Sequence, residues 1–359
     1  MSPRLRDFRM PIEKPVIILN SLQIFAPNIS HLVLSCMTVD DRCISVLCSL
    51  SQLQEITLKD NGRGTTPIFD LSFFPRLSCK EVLQEFTLDG EIIWSAGSLD
   101  CGTVGFPLLK YINFRVCFTM GPIAKLFHYA MVPSLERITI RFGPSPSKLV
   151  KAVEAPYWHQ FFDRIGRATS NHFKTLEIML DDFCPPGRTR EQWEHVGLRV
   201  SNFPNFNIPS LEALTITLPF LRSLNRIDLQ KIINSCSSLS RLDVTSFQPS
   251  ELDFTALLDI ADGLPRLELL CIPLDIRGPL SLEGIPLLAH NLQSIDLDIF
   301  PSKDVGILVQ CIDRIFPYLK RCSFYHVDDL IDDASSLLNM LQNARRDELG
   351  RATLGITGV

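Results

Sequence analysis

The sequence predicts an α/β solenoid, a horseshoe of stacked strand–turn–helix units with a concave parallel β-sheet inside and convex helices outside. Three observations predict it. The segment Pro133-Ser134-Leu135-Glu136-Arg137-Ile138-Thr139-Ile140 returns almost unchanged as Pro209-Ser210-Leu211-Glu212-Ala213-Leu214-Thr215-Ile216. Its apolar pattern, at places one, four and six, occurs eleven times, with first residues 24 to 38 apart. Amphipathic stretches with helical spacing follow most of the copies. Regular return of one supersecondary unit marks a solenoid, because each unit hides its apolar face only against its neighbours.

The strands come first. Before the founding pair stand Ile29/Leu32/Leu34, Leu53/Ile56/Leu58, Leu83/Phe86/Leu88 and Leu109/Ile112/Phe114. Between and after the two copies stand Phe173/Leu176/Ile178, Leu239/Leu242/Val244, Leu267/Leu270/Ile272, Leu292/Ile295/Leu297 and Leu319/Cys322/Phe324. A helix would need 3.6-residue spacing held over ten or more residues, which this short unit lacks. The helices are read next. After Asp40-Asp41, apolar residues at 43, 44, 47 and 50 make a short amphipathic helix with a capped start. Gly121–Ala130, Tyr157–Thr169, Leu224–Cys236, Asp253–Leu264, Asp304–Phe316 and Asp333–Leu349 read likewise. Strands joined through helices lie parallel, with right-handed crossovers.

The ends and interruptions follow from the same grammar. Residues 1–15, with Arg4, Arg6, Arg9, Lys14 and three prolines, read as a flexible arm. Val16–Leu19 reads as a terminal strand capping the stack, and residues 16–359 as a single solenoid. Two intervals of 38 residues hold excursions, around Gly143-Pro144-Ser145-Pro146-Ser147 and around Cys184-Pro185-Pro186-Gly187-Arg188. Prolines there prevent regular structure. Segment 61–80, with Asn61-Gly62-Arg63-Gly64, is a smaller irregularity.

Composition narrows the class. The chain of 359 residues is 46% apolar, with a mean hydropathy of +0.15, yet no run approaches the eighteen or so apolar residues of a membrane span. No cleavable signal follows Val16–Leu19. Eleven cysteines, with no Cys-x-x-Cys pair, fit free buried thiols in a reducing compartment. The expected location is cytoplasmic or nuclear, not secreted. A net charge of −5 and a pI near 5.8 argue against nucleic acid or anionic lipid as partners.

With these strands on the page, the chain resembles leucine-rich-repeat proteins, whose consensus places leucines at one, four and six and Asn or Cys at nine. Asn61 and Cys117 keep the ninth place, while Gly143, Asp181, Pro219, Phe247, Asp275 and Phe300 stand there in other units. Irregular turns are therefore expected. The degenerate units and the Pro-x-Leu-x-x-Leu openings are similar to the repeat regions of fungal F-box proteins. That resemblance implies a substrate receptor of a ubiquitin ligase, with a Skp1-type adaptor docked on an N-terminal F-box. No Leu-Pro-x-Glu-[Ile/Leu] opening precedes Ile29. The adaptor-binding module would then have to lie outside this sequence, or to have been lost.

A partner protein would meet the sheet at places five and seven, which alternation turns to the concave side. The candidates are Lys59, Arg115, Arg141, Glu177, Asp243, Asp296, Asp298 and Tyr325, with basic side chains gathered at Arg115 and Arg141 and acidic ones at Asp243, Asp296 and Asp298. Arginines are frequent interface anchors.

The sequence holds no Gly-x-x-x-x-Gly-Lys-[Ser/Thr], no Gly-x-Ser-x-Gly and no His-Glu-x-x-His. Its seven histidines are scattered, and no pair has metal-ligand spacing within one element. Trp158, His159, Phe161 and Phe162 read as core packing, and Asp181-Asp182 and Asp332-Asp333 as caps or solvated turns. The reading is a non-catalytic protein-binding scaffold without cofactor or metal. The alternative is an enzyme whose site lies in the loops 143–156 or 184–206.

Overall fold

Proline sets the entry to six of the repeats, two residues before the first apolar place: Pro27, Pro107, Pro133, Pro209, Pro265 and Pro317. Its ring fixes φ at the second position of a β-turn. The turn closes when the place-one N–H donates to the carbonyl three residues back, Ile29 to Ala26 at 3.2 Å, Leu135 to Val132 at 3.1 Å and Leu267 to Leu264 at 3.0 Å. The next two N–H groups then donate together to one carbonyl of the preceding repeat. Glu136 and Arg137 share the carbonyl of Lys110 at 2.9 and 3.0 Å, and Glu268 and Leu269 share that of Ser240 at 2.8 and 3.0 Å. Serine hydroxyls add to this ladder, Ser134 to the carbonyl of Pro107, Ser170 to that of Pro133, and Ser210 to that of Phe173.

The computed structural model describes residues 7–11, 15–35, 39–59, 68–94, 104–117, 120–142, 155–180, 207–217, 224–245, 250–278, 280–300, 305–325 and 336–345. Contacts divide the chain into two units, Met1–Leu198 with Asn202–Ser210, and Arg199–Ser201 with Leu211–Val359. Each is a stretch of α/β repeat solenoid. In the first, Asp7–Pro11, His31–Ser35, Glu55–Lys59, Glu85–Asp89, Tyr111–Cys117, Arg137–Phe142 and Thr175–Leu180 pair in that order, all parallel. In the second, Ala213–Thr217, Arg241–Thr245, Leu269–Asp275, Ser294–Phe300 and Arg321–Tyr325 do the same.

Every predicted place one, four and six is buried, none more than 8% exposed. These residues meet the apolar sides of the helices. Helices Asp41–Ser49, Gly121–Tyr129 and Ala155–Ala168 serve the first unit, and Arg226–Ser235, Thr255–Gly263, Val305–Ile315 and residues 336–345 the second. The expected cap on the first of these is present, with Asp40 Oδ1 accepting from the Cys43 N–H at 2.8 Å. Those hydrogen bonds hold the Asp40 carboxyl below its usual range. One repeat uses a 3₁₀-helix instead, Leu71–Cys79, whose Phe74 packs on Phe86 and Phe106 with ring centroids 4.7 and 4.5 Å apart. Two short parallel pairs flank the first unit's sheet, Ile68–Asp70 with Glu91–Ile93 and Val104–Gly105 with Ala130–Met131.

The N-terminus differs from its sequence reading. Residues 7–11 of the expected arm form a strand paired with His31–Ser35. Val16–Leu19, expected as a strand, lies inside the helix Pro15–Phe25, with Pro15 at its first position. Leu19 and Leu22 are its buried residues, three apart, whereas a four-residue aliphatic run carries no period of its own. Of the ninth-place residues named above, Asn61, Gly143, Asp181, Pro219 and Phe247 lie outside the described residues.

Cys43, Cys48, Cys236, Cys271, Cys311 and Cys322 form no disulfide. Cys322 fills an apolar place, and burial, with the charge of Asp296, pushes its thiol up to about 12. Among the described residues no helix is long and apolar enough to cross a membrane.

Candidate functional site

Alternation along each strand puts places three, five and seven on the open face, opposite the helices. In-register parallel pairing then aligns equal places into rows across a unit. In the first unit, place five runs Val33, Thr57, Thr87, Asn113, Thr139 and Glu177, and place three runs His31, Glu55, Glu85, Tyr111, Arg137 and Thr175. Neighbouring rows pair their charges. Arg137 Nη2 stands 2.7 Å from Glu177 Oε2, which also accepts from the Thr139 hydroxyl at 3.0 Å. His31 Nε2 lies 3.0 Å from Glu55 Oε1. Lys59 and Asp89 face each other in register, and Arg115 reaches Asp89 at 3.8 Å. Glu85 neighbours Glu55 in register. Burial and the Glu55 charge raise its carboxyl above the usual range, against the pull of His31.

The regular ladder breaks at one place in this unit. Between Tyr111–Cys117 and Arg137–Phe142 the register passes from Ile140 opposite Phe114 to Phe142 opposite Cys117. Arg141 therefore faces the two residues Arg115 and Val116 across a β-bulge. Bulges re-aim side chains and recur beside functional sites. Arg115 and Arg141 stand at place seven of neighbouring strands, and the bulge interrupts their one-to-one pairing there. Arg141 has no carboxylate partner among the described residues, and its Nε is buried without an acceptor. Asn113 Oδ1, on the next strand, is buried without a donor. Buried polar atoms are normally satisfied, and these two are among the exceptions in the described residues, with Thr245 Oγ1 and Asp296 Oδ1 in the second unit.

The second unit's face carries the opposite charge at its centre. Place five runs Thr215, Asp243, Cys271, Asp296 and Ser323. Arg241 Nη2 approaches Asp243 at 3.3 Å, and Arg321 Nε approaches Asp296 at 3.7 Å. Burial still raises the Asp243 carboxyl above its usual range, with Asp296 adding repulsion, while hydrogen bonds from Arg241 and Cys271 oppose the rise. A raised carboxylate stabilises the fold below its unfolded pKa, and that contribution is lost as pH rises through the folded pKa. Asp243→Asn is accordingly expected to raise the melting temperature at neutral pH. The gain should vanish in acid, where Asp243 is already protonated. Calorimetry across pH reads both limbs, and a gain independent of pH would refute the assignment.

Of the residues predicted from sequence, Lys59, Arg115, Arg141 and Glu177 lie on the first unit's open face and Asp243 and Asp296 on the second's. They form two groups rather than one cluster. Asp298 and Tyr325 pair in register through their backbones, but their side chains lie outside the described residues. Reading places five and seven alone missed Arg137, Arg241 and Arg321 at place three. The same period of two could have found them. Trp158, Phe161 and Phe162 are fully buried core, as expected. Residues 143–154 and 184–206, with Asp181-Asp182 and Asp332-Asp333, lie outside the described residues. Among the described residues no three His, Cys, Asp or Glu side chains are grouped so as to hold a metal ion.

No family model matches this chain, and no curated protein matches it. Solved structures resemble it at low identity. A Bacteroides fragilis protein is similar over 72% of this chain and 69% of its own, at 13% identity and a TM-score of 0.42. The complex of Rad7 and Elc1 from yeast is similar at 14% identity and a TM-score of 0.42, over 89% of this chain and 76% of that one. The complex of TLR13 with ssRNA13 is similar at 12% identity and a TM-score of 0.30, over 84% of this chain and 46% of that one.

Proposed function

We propose that this chain is a non-catalytic scaffold that binds a partner protein on the open face of its repeat sheet, with Arg141 and Arg115 as anchor. The observation that carries the reading is Arg141, at place seven beside the Arg115 strand, which has no carboxylate partner among the described residues, with the unsatisfied Asn113 Oδ1 on the same face. Arginine is enriched among interface hot spots because its planar fork engages carboxylates through two parallel hydrogen bonds. The complementary partner presents an acidic side chain with a donor for Asn113. We infer further, from the resemblance to fungal F-box repeat regions, that the partner is a substrate delivered to a ubiquitin ligase. Such a chain works in the cytoplasm or nucleus, where its thiols stay reduced.

Affinity capture with the tagged full chain tests both levels. A stoichiometric partner that is retained at low salt and released as salt rises supports the scaffold. Recovery of a Skp1-type adaptor supports the ligase role. Partners without that adaptor end the ligase role alone, and no retained protein at any salt ends both.

A further inference from the structure

In the first unit the helices Gly121–Tyr129 and Ala155–Ala168 pack against each other. Their inner sides are sealed, since Phe127 meets Phe161 edge-on with ring centroids 5.6 Å apart. They also approach closely at Gly121, where a Cβ would stand 3.4 Å from the Tyr157 ring. Their outer sides part around a cleft of about 230 Å³, lined by Ala124, Lys125, His128, Tyr129, Gln160 and Arg164. Helical spacing produces that lining. Lys125 and His128 stand three apart on one helix, and Gln160 and Arg164 four apart on the other, so each pair shares a face. The Tyr129 ring lies edge-on to His128, centroids 4.7 Å apart.

Every polar side chain in the lining can donate a hydrogen bond, and none is acidic. Among the described residues Lys125 and His128 meet no carboxylate. Arg164 is held only loosely. Its Nε lies 4.0 Å from Asp163 Oδ2, while Asp163 Oδ1 accepts from Arg167 Nη2 at 2.9 Å. Two cations, an imidazole and two neutral donors therefore line one cleft, in a chain whose net charge is −5. A carboxylate brings a single charge to such a lining. A phosphate monoester brings three strong acceptor oxygens and a charge of roughly −1.5 to −2. The planar arginine fork matches two of those oxygens with parallel N–H groups. We propose that this cleft binds a phosphate monoester group. Arg164 and Lys125 take its charged oxygens, and Gln160, His128 and Tyr129 supply the remaining donors. The site lies on the helical side of the first unit, opposite the sheet face. It uses neither Arg115 nor Arg141, so it and the scaffold reading can fail separately.

The test is isothermal titration calorimetry of the full chain with phenyl phosphate and with a short amidated Gly-phosphoserine-Gly peptide. The control is the same peptide with glutamate in place of phosphoserine. Saturable binding of a phosphate probe is expected, with the glutamate peptide weaker by about tenfold or more. Lys125→Gln combined with Arg164→Gln should cost about tenfold or more in that affinity, with circular dichroism matching the parent. Lys125→Gln alone breaks no described ion pair and should already cost several-fold. Arg226→Gln removes a cation from the second unit and should leave the affinity unchanged. Tighter binding of the phosphopeptide than of phenyl phosphate supports the site and assigns the group to a phosphorylated partner protein. Equal or weaker binding of the phosphopeptide supports it with a small phosphorylated molecule as the source. The proposal is overturned by no saturable binding, or by sulfate or the glutamate peptide binding as tightly as the phosphate probes. A phosphodiester oligonucleotide that binds more tightly than either probe, or affinity unmoved by the Lys125 and Arg164 substitutions, overturns it as well.

Discussion

Arg141→Glu is expected to abolish capture of the sheet-face partner while the chain remains folded. Arg141 contributes nothing described to the fold's ion pairs, and its neighbours in the sheet are held by backbone pairing that a side-chain change leaves alone. Its proposed role is in the complex. Truncating one partner of a buried, hydrogen-bonded charge pair costs roughly 2–5 kcal/mol, or about 30-fold to several-thousand-fold in Kd. Reversal adds repulsion, so the effect belongs at the upper end. Arg115→Glu should cost less, because Arg115 already has Asp89 at 3.8 Å and part of its charge is balanced within the chain. Glu177→Gln gives the contrast. That carboxylate is taken by Arg137 and Thr139, so its removal frees a second arginine on the same face and should weaken capture far less than Arg141→Glu. The readout is the dissociation constant of the captured partner, with thermal unfolding as the control. Retention of full affinity by Arg141→Glu would remove the anchor from the model of binding.

Trp158→Ala should produce the largest loss of stability in the first unit. Trp158 is fully buried on the helix Ala155–Ala168, its ring 5.7 Å from Phe142 and 6.2 Å from Phe162. Phe162 in turn meets Phe161, and Phe161 meets Phe127 on the adjacent helix at 5.6 Å. Trp158 thus joins the sheet to its own helix and, through Phe162 and Phe161, to the adjacent one, and its removal leaves a cavity. Truncations of buried Phe and Trp to Ala cost about 3–5 kcal/mol, through lost transfer energy plus the cavity. The measurement is the urea midpoint at unchanged slope, which isolates stability from a change in exposed surface. Trp158→Phe should cost much less, since it retains most of the ring contacts and removes an indole N–H that is buried without an acceptor. Equal losses for the two substitutions would show that the rings are not what holds the helix to the sheet.

How much of this was legible beforehand depends on how local each signal is. Apolar places one, four and six were readable at Leu135, Ile138 and Ile140 because a strand's period is written within six residues of itself. The helix at 41–49 was readable for the same reason, from Asp40 and the apolar spacing that follows it. At Val16–Leu19 the local signal failed: four aliphatic residues suit a strand or a helix equally, and docking against the neighbouring helix decided for the helix. The candidate face divides in the same way. Which residues point outward followed from alternation, but which of those remain unpaired did not. Arg137 and Glu177 are forty positions apart, and only the pairing of their strands makes them neighbours.

By itself, then, the sequence settled the stacking of parallel strands under a layer of helices, since burying a periodic apolar edge has one inexpensive solution and each repeat restates it. Tertiary structure alone decided which outward charges find partners, as Arg137 does in Glu177, and where the register between Tyr111–Cys117 and Arg137–Phe142 shifts. Both depend on how one repeat is offset against the next. That offset comes from turn lengths and close packing, and no single repeat encodes it.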